Sequence, residues 1–223
     1  MRIILALMAS LTLLAMPAAA ATVDGQKTYD LLFKDGTLND FEKDKQLVYE
    51  RKVTNLAKPE SGAHNTGDII LRIAPEDETL VALTFRQGEA FRRMGSFPGS
   101  VGNPMIMVFY ESVVRDMAEA AGGSPYYIRN RVKEALVQPT DVEEGEAMFN
   151  GESVPTKTIR LAPFKDDPNS DRMQGFGDLE LTVTMSEAVP GWYLGFEAAV
   201  IHEASGEPIY RAVTTLDGKK DLE

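Results

Sequence analysis

The sequence predicts an α+β protein in which mainly antiparallel strands flank a central helix pair. Three observations carry that prediction. Asn103-Pro104 and Ser124-Pro125 each set a side-chain acceptor at a helix N-cap and a proline at the first helical position. The N–H that proline lacks has no intrahelical partner there anyway. Period-two hydrophobic alternation recurs on both sides of this pair, as in Val81, Leu83 and Phe85 and in Leu179, Leu181, Val183 and Met185. Asn150-Gly151 is the strongest hairpin signal in the chain, because both central residues of a type I′ turn need positive φ.

Taken in order, residues 1–21 read as an export signal. Arg2 supplies the positive start and Ile3–Met16 an apolar run too short to span a bilayer; Ala18 to Ala21 offer small residues for cleavage. Residues 22–223 then form a single β-rich domain, expected in the bacterial periplasm or secreted, with no transmembrane segment. Thr28–Asp35 reads as a short helix stopped by Gly36, and Gln46–Val53 as a strand. Lys58 to Gly67 reads as a loop, and Asp68–Ala74 with Thr79–Arg86 as a hairpin. Phe91–Met94 extends the sheet, and Gly95, Gly99 and Gly102 space a loop into the first helix.

That helix, near 104–121, carries Ile106, Phe109, Tyr110, Val113, Val114, Met117, Ala120 and Ala121 on one broad arc. Glu111, Ser112, Arg115, Asp116 and Glu119 occupy the other, which is expected to face water. The second, near 125–136, turns Tyr127, Ile128, Val132, Ala135 and Leu136 inward. Beyond it, Glu144–Phe149 and Pro155–Leu161 form the Asn150-Gly151 hairpin, and Asp166–Gly177 is a polar loop. Strands follow at Leu179–Met185, Trp192–His202 and Pro208–Thr215, with Lys219–Glu223 as a frayed tail.

Composition excludes several chemistries. The chain has no cysteine, so there is no disulfide, thiol nucleophile or acylated lipoprotein cysteine. Its formal charge of −11 opposes general binding to a phosphate backbone. His64 and His202 are the only histidines, too few for a poly-histidine zinc site, and no G-x-S-x-G, S-x-x-K or H-E-x-x-H motif occurs. Asp167, Asn169, Asp171 and Asp178 have the oxygen spacing of a calcium loop. However, Arg172 stands where the sharp turn needs glycine, so ordinary turn chemistry is the better reading. Glu143, Glu144 and Glu146 read as a solvated face. No cofactor is called for.

One combination points to a ligand. Met105, Met107 and Met117 sit with Phe109 and Tyr110 on or beside the first helix, and methionine suits surfaces that accept varied apolar shapes. Against the acidic background, the stretch from Arg86 to Lys133 holds a local positive excess that includes Arg92, Arg93, Arg129 and Arg131. An apolar cavity rimmed by these arginines would fit an amphiphile with an anionic head.

The order of elements resembles the periplasmic lipoprotein-carrier (LolA/LolB-like) fold: a short N-terminal helix, antiparallel strands, a central helix pair and further antiparallel strands. The resemblance implies a strongly curved sheet, an open barrel, capped by the helices around an apolar cavity. It also implies a non-enzymatic protein that binds or carries an acyl chain, a lipid or a lipidated protein. The alternatives are a protein–protein interaction module of the envelope and a carboxylate-dependent hydrolase.

Overall fold

A computed structural model describes residues 20–201 and 206–222. The expected export signal falls almost wholly outside these residues, as does His202. The chain is α+β, built on one open antiparallel sheet of ten strands. These are β1 (Ala20–Val23), β2 (Lys45–Asn55), β3 (Gly67–Ala74), β4 (Asp77–Gln87), β5 (Ala90–Pro98), β6 (Thr140–Phe149), β7 (Glu152–Leu161), β8 (Glu180–Met185), β9 (Tyr193–Ile201) and β10 (Pro208–Asp221). Their spatial order is β1-β6-β7-β8-β9-β10-β2-β3-β4-β5. Two meanders, β2 to β5 and β6 to β10, are therefore sewn together along one seam, β10 against β2, which pairs from Tyr210–Asn55 to Asp221–Lys45.

Among the described residues four α-helices accompany the sheet: α1 (Gly25–Leu32), α2 (Pro59–His64), α3 (Met105–Ala121) and α4 (Pro125–Ala135). The chain leaves the sheet at its β5 edge and runs through α3 and α4. It re-enters at β6, beside the opposite edge. A connection between opposite edges must cross the sheet, and bending the sheet around the helices gives the inner apolar faces one shared core. Phe109 of α3 meets Phe196 of β9 with ring centroids 5.1 Å apart, and Tyr49, Leu71, Leu83, Val183, Ala198 and Ala212 are all buried in the same cluster. The Asn150-Gly151 turn forms as expected, with φ of 51° and 84°. Its tip lies over β10, where a Cβ added to Gly218 would stand 3.8 Å from Asn150 Oδ1. Gly218 pairs with Val48, whose side chain has opposite parity to Tyr49, so the hairpin covers the face turned away from α3.

α3 begins at Met105 with Pro104 at its N-cap, so Asn103 stands one residue ahead of its expected place, yet it still binds the helix start. Its Oδ1 accepts the Met105 N–H at 3.0 Å, while its Nδ2 donates to Tyr49 Oη at 2.9 Å and to the Gly191 carbonyl at 2.8 Å. One buried amide thus joins the helix start to β2 and to the turn before β9. Gly191 has φ of 77°, and a Cβ there would lie 2.8 Å from Asn103 Nδ2, so only glycine fits. The next residue, Trp192, also has positive φ (77°). Its indole N–H donates to the Leu31 carbonyl at 3.0 Å and Lys34 lies over its ring, so α1 holds the strained residue in place.

Four other expectations are corrected. Ser124 makes no side-chain cap, leaving Pro125 to start α4 alone. Residues 59–64, read as loop, form α2, with Pro59 in its first turn. The 166–177 stretch is more than a polar loop: Asp167, Met173 and Phe176 are buried, and it carries two 3₁₀ turns, Ser170–Arg172 and Phe176–Asp178. The C-terminal residues are not frayed, because Lys219, Lys220 and Asp221 complete the seam with β2.

A further correction concerns α3. Its supposed water-facing arc is partly interior, since Ser112 and Asp116 are buried. The Asp116 carboxylate, 2% exposed, accepts from Tyr210 Oη of β10 at 2.9 Å and from Arg51 of β2 at 3.2 Å. Asn65, just after α2, and Arg115 approach its other oxygen at 3.5 Å. Burial, together with the Asp116 charge, pushes the Tyr210 hydroxyl well above its ordinary range, so it stays a donor.

Two outcomes follow in urea denaturation. Asn103→Ala removes three hydrogen bonds and strands the Tyr49 hydroxyl and the Gly191 carbonyl; stability should fall by about 2–4 kcal/mol. Asp116→Leu leaves Arg51 charged and unpaired in the interior and should cost about 3–5 kcal/mol. The double variant Arg51→Met/Asp116→Leu should recover most of that loss; a double variant no better than Asp116→Leu alone would show that the pair is not the source of the cost.

Candidate ligand cavity

On one flank of α3, facing the β5 edge, the core does not close. A cavity of about 300 Å³ lies between Met107 and Val108 of the helix and Ile69, Phe85, Met94 and Phe97 of β3, β4 and β5. On the helix it is walled by Met107, Val108, Glu111, Ser112 and Arg115, a stripe at spacing i, i+1, i+4, i+5, i+8 that falls on one side of an α-helix. Met107 is 45% exposed at this wall, next to buried Phe85 and Ile69.

The β5 wall depends on a bulge. Leu83 pairs with Gly95 but Thr84 pairs with Arg93, so Met94 is an extra residue, followed by Gly95 at φ of 143°. In a regular strand Arg92 and Phe97, five residues apart, would point to opposite faces. The bulge puts both on the face of their partners Phe85 and Val81, and so into one cavity wall. The glycine-spaced loop expected from Gly95 is thus strand and bulge as far as Pro98, and the Gly99–Val101 3₁₀ turn completes the link to α3.

Polar groups sit at defined places in this apolar space. Arg51 lines it but is engaged by Asp116, and the Ser112 hydroxyl donates to the Phe109 carbonyl at 2.7 Å. Arg92 lies over the Phe85 ring, its guanidinium carbon 5.1 Å from the centroid. Arg115 is half exposed. Past Arg92, Arg115 and Asn65 the cavity adjoins a wider groove of about 830 Å³ bordered by α2, with Lys58 at one end of that helix and His64 at the other.

The expected ligand residues divide. Met105, Phe109, Tyr110 and Met117 are 1 to 5% exposed and pack into the central core, because their arc of α3 faces the middle of the sheet. None of them lines the cavity. Tyr110 Oη is buried without a hydrogen-bond partner, and desolvation drives its pKa well above the ordinary value. Among the four arginines only Arg92 reaches the cavity. Arg93 pairs with Glu76 at 3.1 Å, Arg129 grips Glu111 at 2.7 and 2.8 Å, and Arg131 pairs with Glu134 and Asp167. Arg129 touches the site indirectly, because its hydrogen bonds hold the wall residue Glu111 below the usual carboxylate range. Of the methionines singled out on α3, Met107 lines the cavity, and the structure adds Ile69, Phe85, Met94, Phe97 and Arg115; the bulge that gathers the β5 members is a tertiary feature with only Gly95 as its sign in the sequence.

Asp167, the lead oxygen of the calcium spacing, is turned inward. Its carboxylate accepts from Tyr127 Oη at 2.8 and 2.9 Å and from the Asn169 N–H at 2.8 Å, and Arg131 Nε lies 2.8 Å away. The place a cation would take is filled by a guanidinium. Among the described residues no group of three or more acidic or histidine side chains converges on a metal position.

No helix among the described residues is long and apolar enough to cross a membrane. No protein-family model matches the chain. No curated protein matches it either. Comparison with solved structures aligns it with the crystal structure of the Mycobacterium tuberculosis lipoprotein LppX, at 10% sequence identity and a TM-score of 0.36, covering 86% of this chain and 93% of that one.

Proposed function

We propose that this is an exported, non-enzymatic protein of the cell envelope that binds a hydrophobic or amphiphilic ligand in the cavity between α3 and β3 to β5. The observation that carries the reading is the cavity itself. It is walled by Ile69, Phe85, Met94, Phe97, Met107 and Val108, and the polar groups Arg51 and Ser112 on its surface already have partners inside the protein. Such a space offers an acyl chain or ring apolar contact and asks for few new hydrogen bonds. Two methionines in the wall let it adapt to ligand shape. The sequence of residues 1–21 supports export. Glu111, the carboxylate in the cavity wall, is held ionised by Arg129, the state of an ion-pair partner and not of a general acid.

The only tryptophan, Trp192, lies outside the cavity, so its fluorescence should not respond to ligand. Phe97→Trp places an indole in the wall. Titration with a fatty acid should then shift its emission saturably, while the wild-type protein stays silent and displaces a fluorescent fatty-acid probe. Filling the space with Val108→Trp should weaken binding by about tenfold or more with a melting temperature near that of wild type. Native mass spectra free of lipid, with no saturable shift in Phe97→Trp, would remove the proposal.

A further inference from the structure

The groove beside the cavity is unusual for this chain. In a protein of charge −11, most exposed arginines are matched by carboxylates: Arg93 by Glu76, Arg129 by Glu111, Arg160 by Glu143 and Arg211 by Glu197. In the groove, the Lys58 ammonium and the His64 ring have no hydrogen bond or ion pair among the described residues, and the Arg92 guanidinium has there only the face of Phe85. Arg115 stands between groove and cavity at 3.5 Å from Asp116, a carboxylate already shared with Arg51 and Tyr210. Glu60 and Glu119 also border the groove, and Glu119 takes the Ser61 hydroxyl at 3.1 Å. Three permanent cations therefore stand against two carboxylates, a local positive excess on an acidic molecule. Arg92 and Arg115 belong to both the groove and the apolar cavity.

We infer that the ligand is a single-chain amphiphile with an anionic head, its chain in the cavity and its head in the groove against Arg92, Arg115 and Lys58. This rests on the cavity reading above and narrows it. A volume of about 300 Å³ is at the lower end of the roughly 300–1,000 Å³ of small-molecule pockets, room for one chain and not for two or three. Guanidinium groups at the cavity mouth, with an ammonium beyond them, match a phosphate or carboxylate joined to that chain.

The test is calorimetric titration of the full-length processed protein, below micellar concentrations, with ligands of equal chain length. Myristoyl lysophosphatidylglycerol and myristate carry a phosphate and a carboxylate head, monomyristoylglycerol is uncharged, and dimyristoyl phosphatidylglycerol has two chains. Each single-chain anion, or one of the two, should bind about tenfold or more tightly than monomyristoylglycerol, as expected for charge-assisted contacts at a partly exposed site. Added salt should erode the preference. Lys58→Gln/Arg92→Gln should abolish the preference, while Arg93→Gln, whose residue pairs with Glu76 outside the groove, should keep it. Equal binding of the uncharged ligand overturns the inference and leaves the cavity reading standing. Equal binding of the two-chain lipid overturns the single-chain assignment. A preference that survives Lys58→Gln/Arg92→Gln overturns the placement of the head. If no ligand binds at all, the cavity reading falls and this inference with it.

Discussion

The buried carboxylate of Asp116 constrains everything around it. A charge at 2% exposure is tolerable only with partners, and those partners come from three separate parts of the chain: Arg51 on β2, Tyr210 on β10 and Asn65 behind α2. Arg51 and Tyr210 lie on the two strands of the seam, so the carboxylate ties α3 to the line where the two meanders meet. Apolar packing alone is forgiving about helix rotation; a buried ion pair is not, because a modest turn would strand two charges. With rotation set by Asp116 and the helix start set by Asn103, the arc from Ile106 to Met117 faces the middle of the sheet. The stripe from Met107 to Arg115 is then left facing β3 to β5 across the cavity.

The cavity is thus a by-product of anchoring as much as of shape. Its sheet wall comes from β3, β4 and β5, and the bulge at Met94 puts Arg92 and Phe97 on one face of the edge strand. On the α4 side the 162–179 segment packs Phe164, Met173 and Phe176 into the core, and is itself pinned by the contacts of Asp167 with Tyr127 and Arg131.

How much of this was legible in the sequence depended on the range of the interaction. The helix pair, the Asn150-Gly151 hairpin and the alternating strands rest on local patterns, and all were visible. The seam was partly hidden, because Lys219 to Asp221 look like a polar tail until β2 supplies their partners. Asp116 and Ser112 looked like a solvated face, since nothing nearby in sequence announces that Arg51, 65 positions away, waits for the carboxylate. Most of the expected ligand residues lie away from the cavity for a related reason. The oily arc of Phe109, Tyr110 and Met117 is the strongest signal on α3, but the strongest apolar arc is the one that packs solidly. A cavity sits beside it, where polar and apolar residues mix, as in Met107, Glu111 and Arg115. The basic excess in this region was real, but three of its four singled-out arginines are consumed by neighbouring carboxylates.

The seam between β2 and β10 also bears on how the protein comes to be folded. Its two strands are separated by most of the described chain, yet they join the halves of the sheet and present both Arg51 and Tyr210 to the helix. Contacts so distant along the chain carry a large loop-closure cost and form late. Neither meander can bury its inner face well without the other, and β10, which unites them, is the described strand furthest along the chain from β2. The two halves of the sheet therefore wait on pairing between residues 45–55 and 210–221 before Arg51 and Tyr210 can together anchor α3.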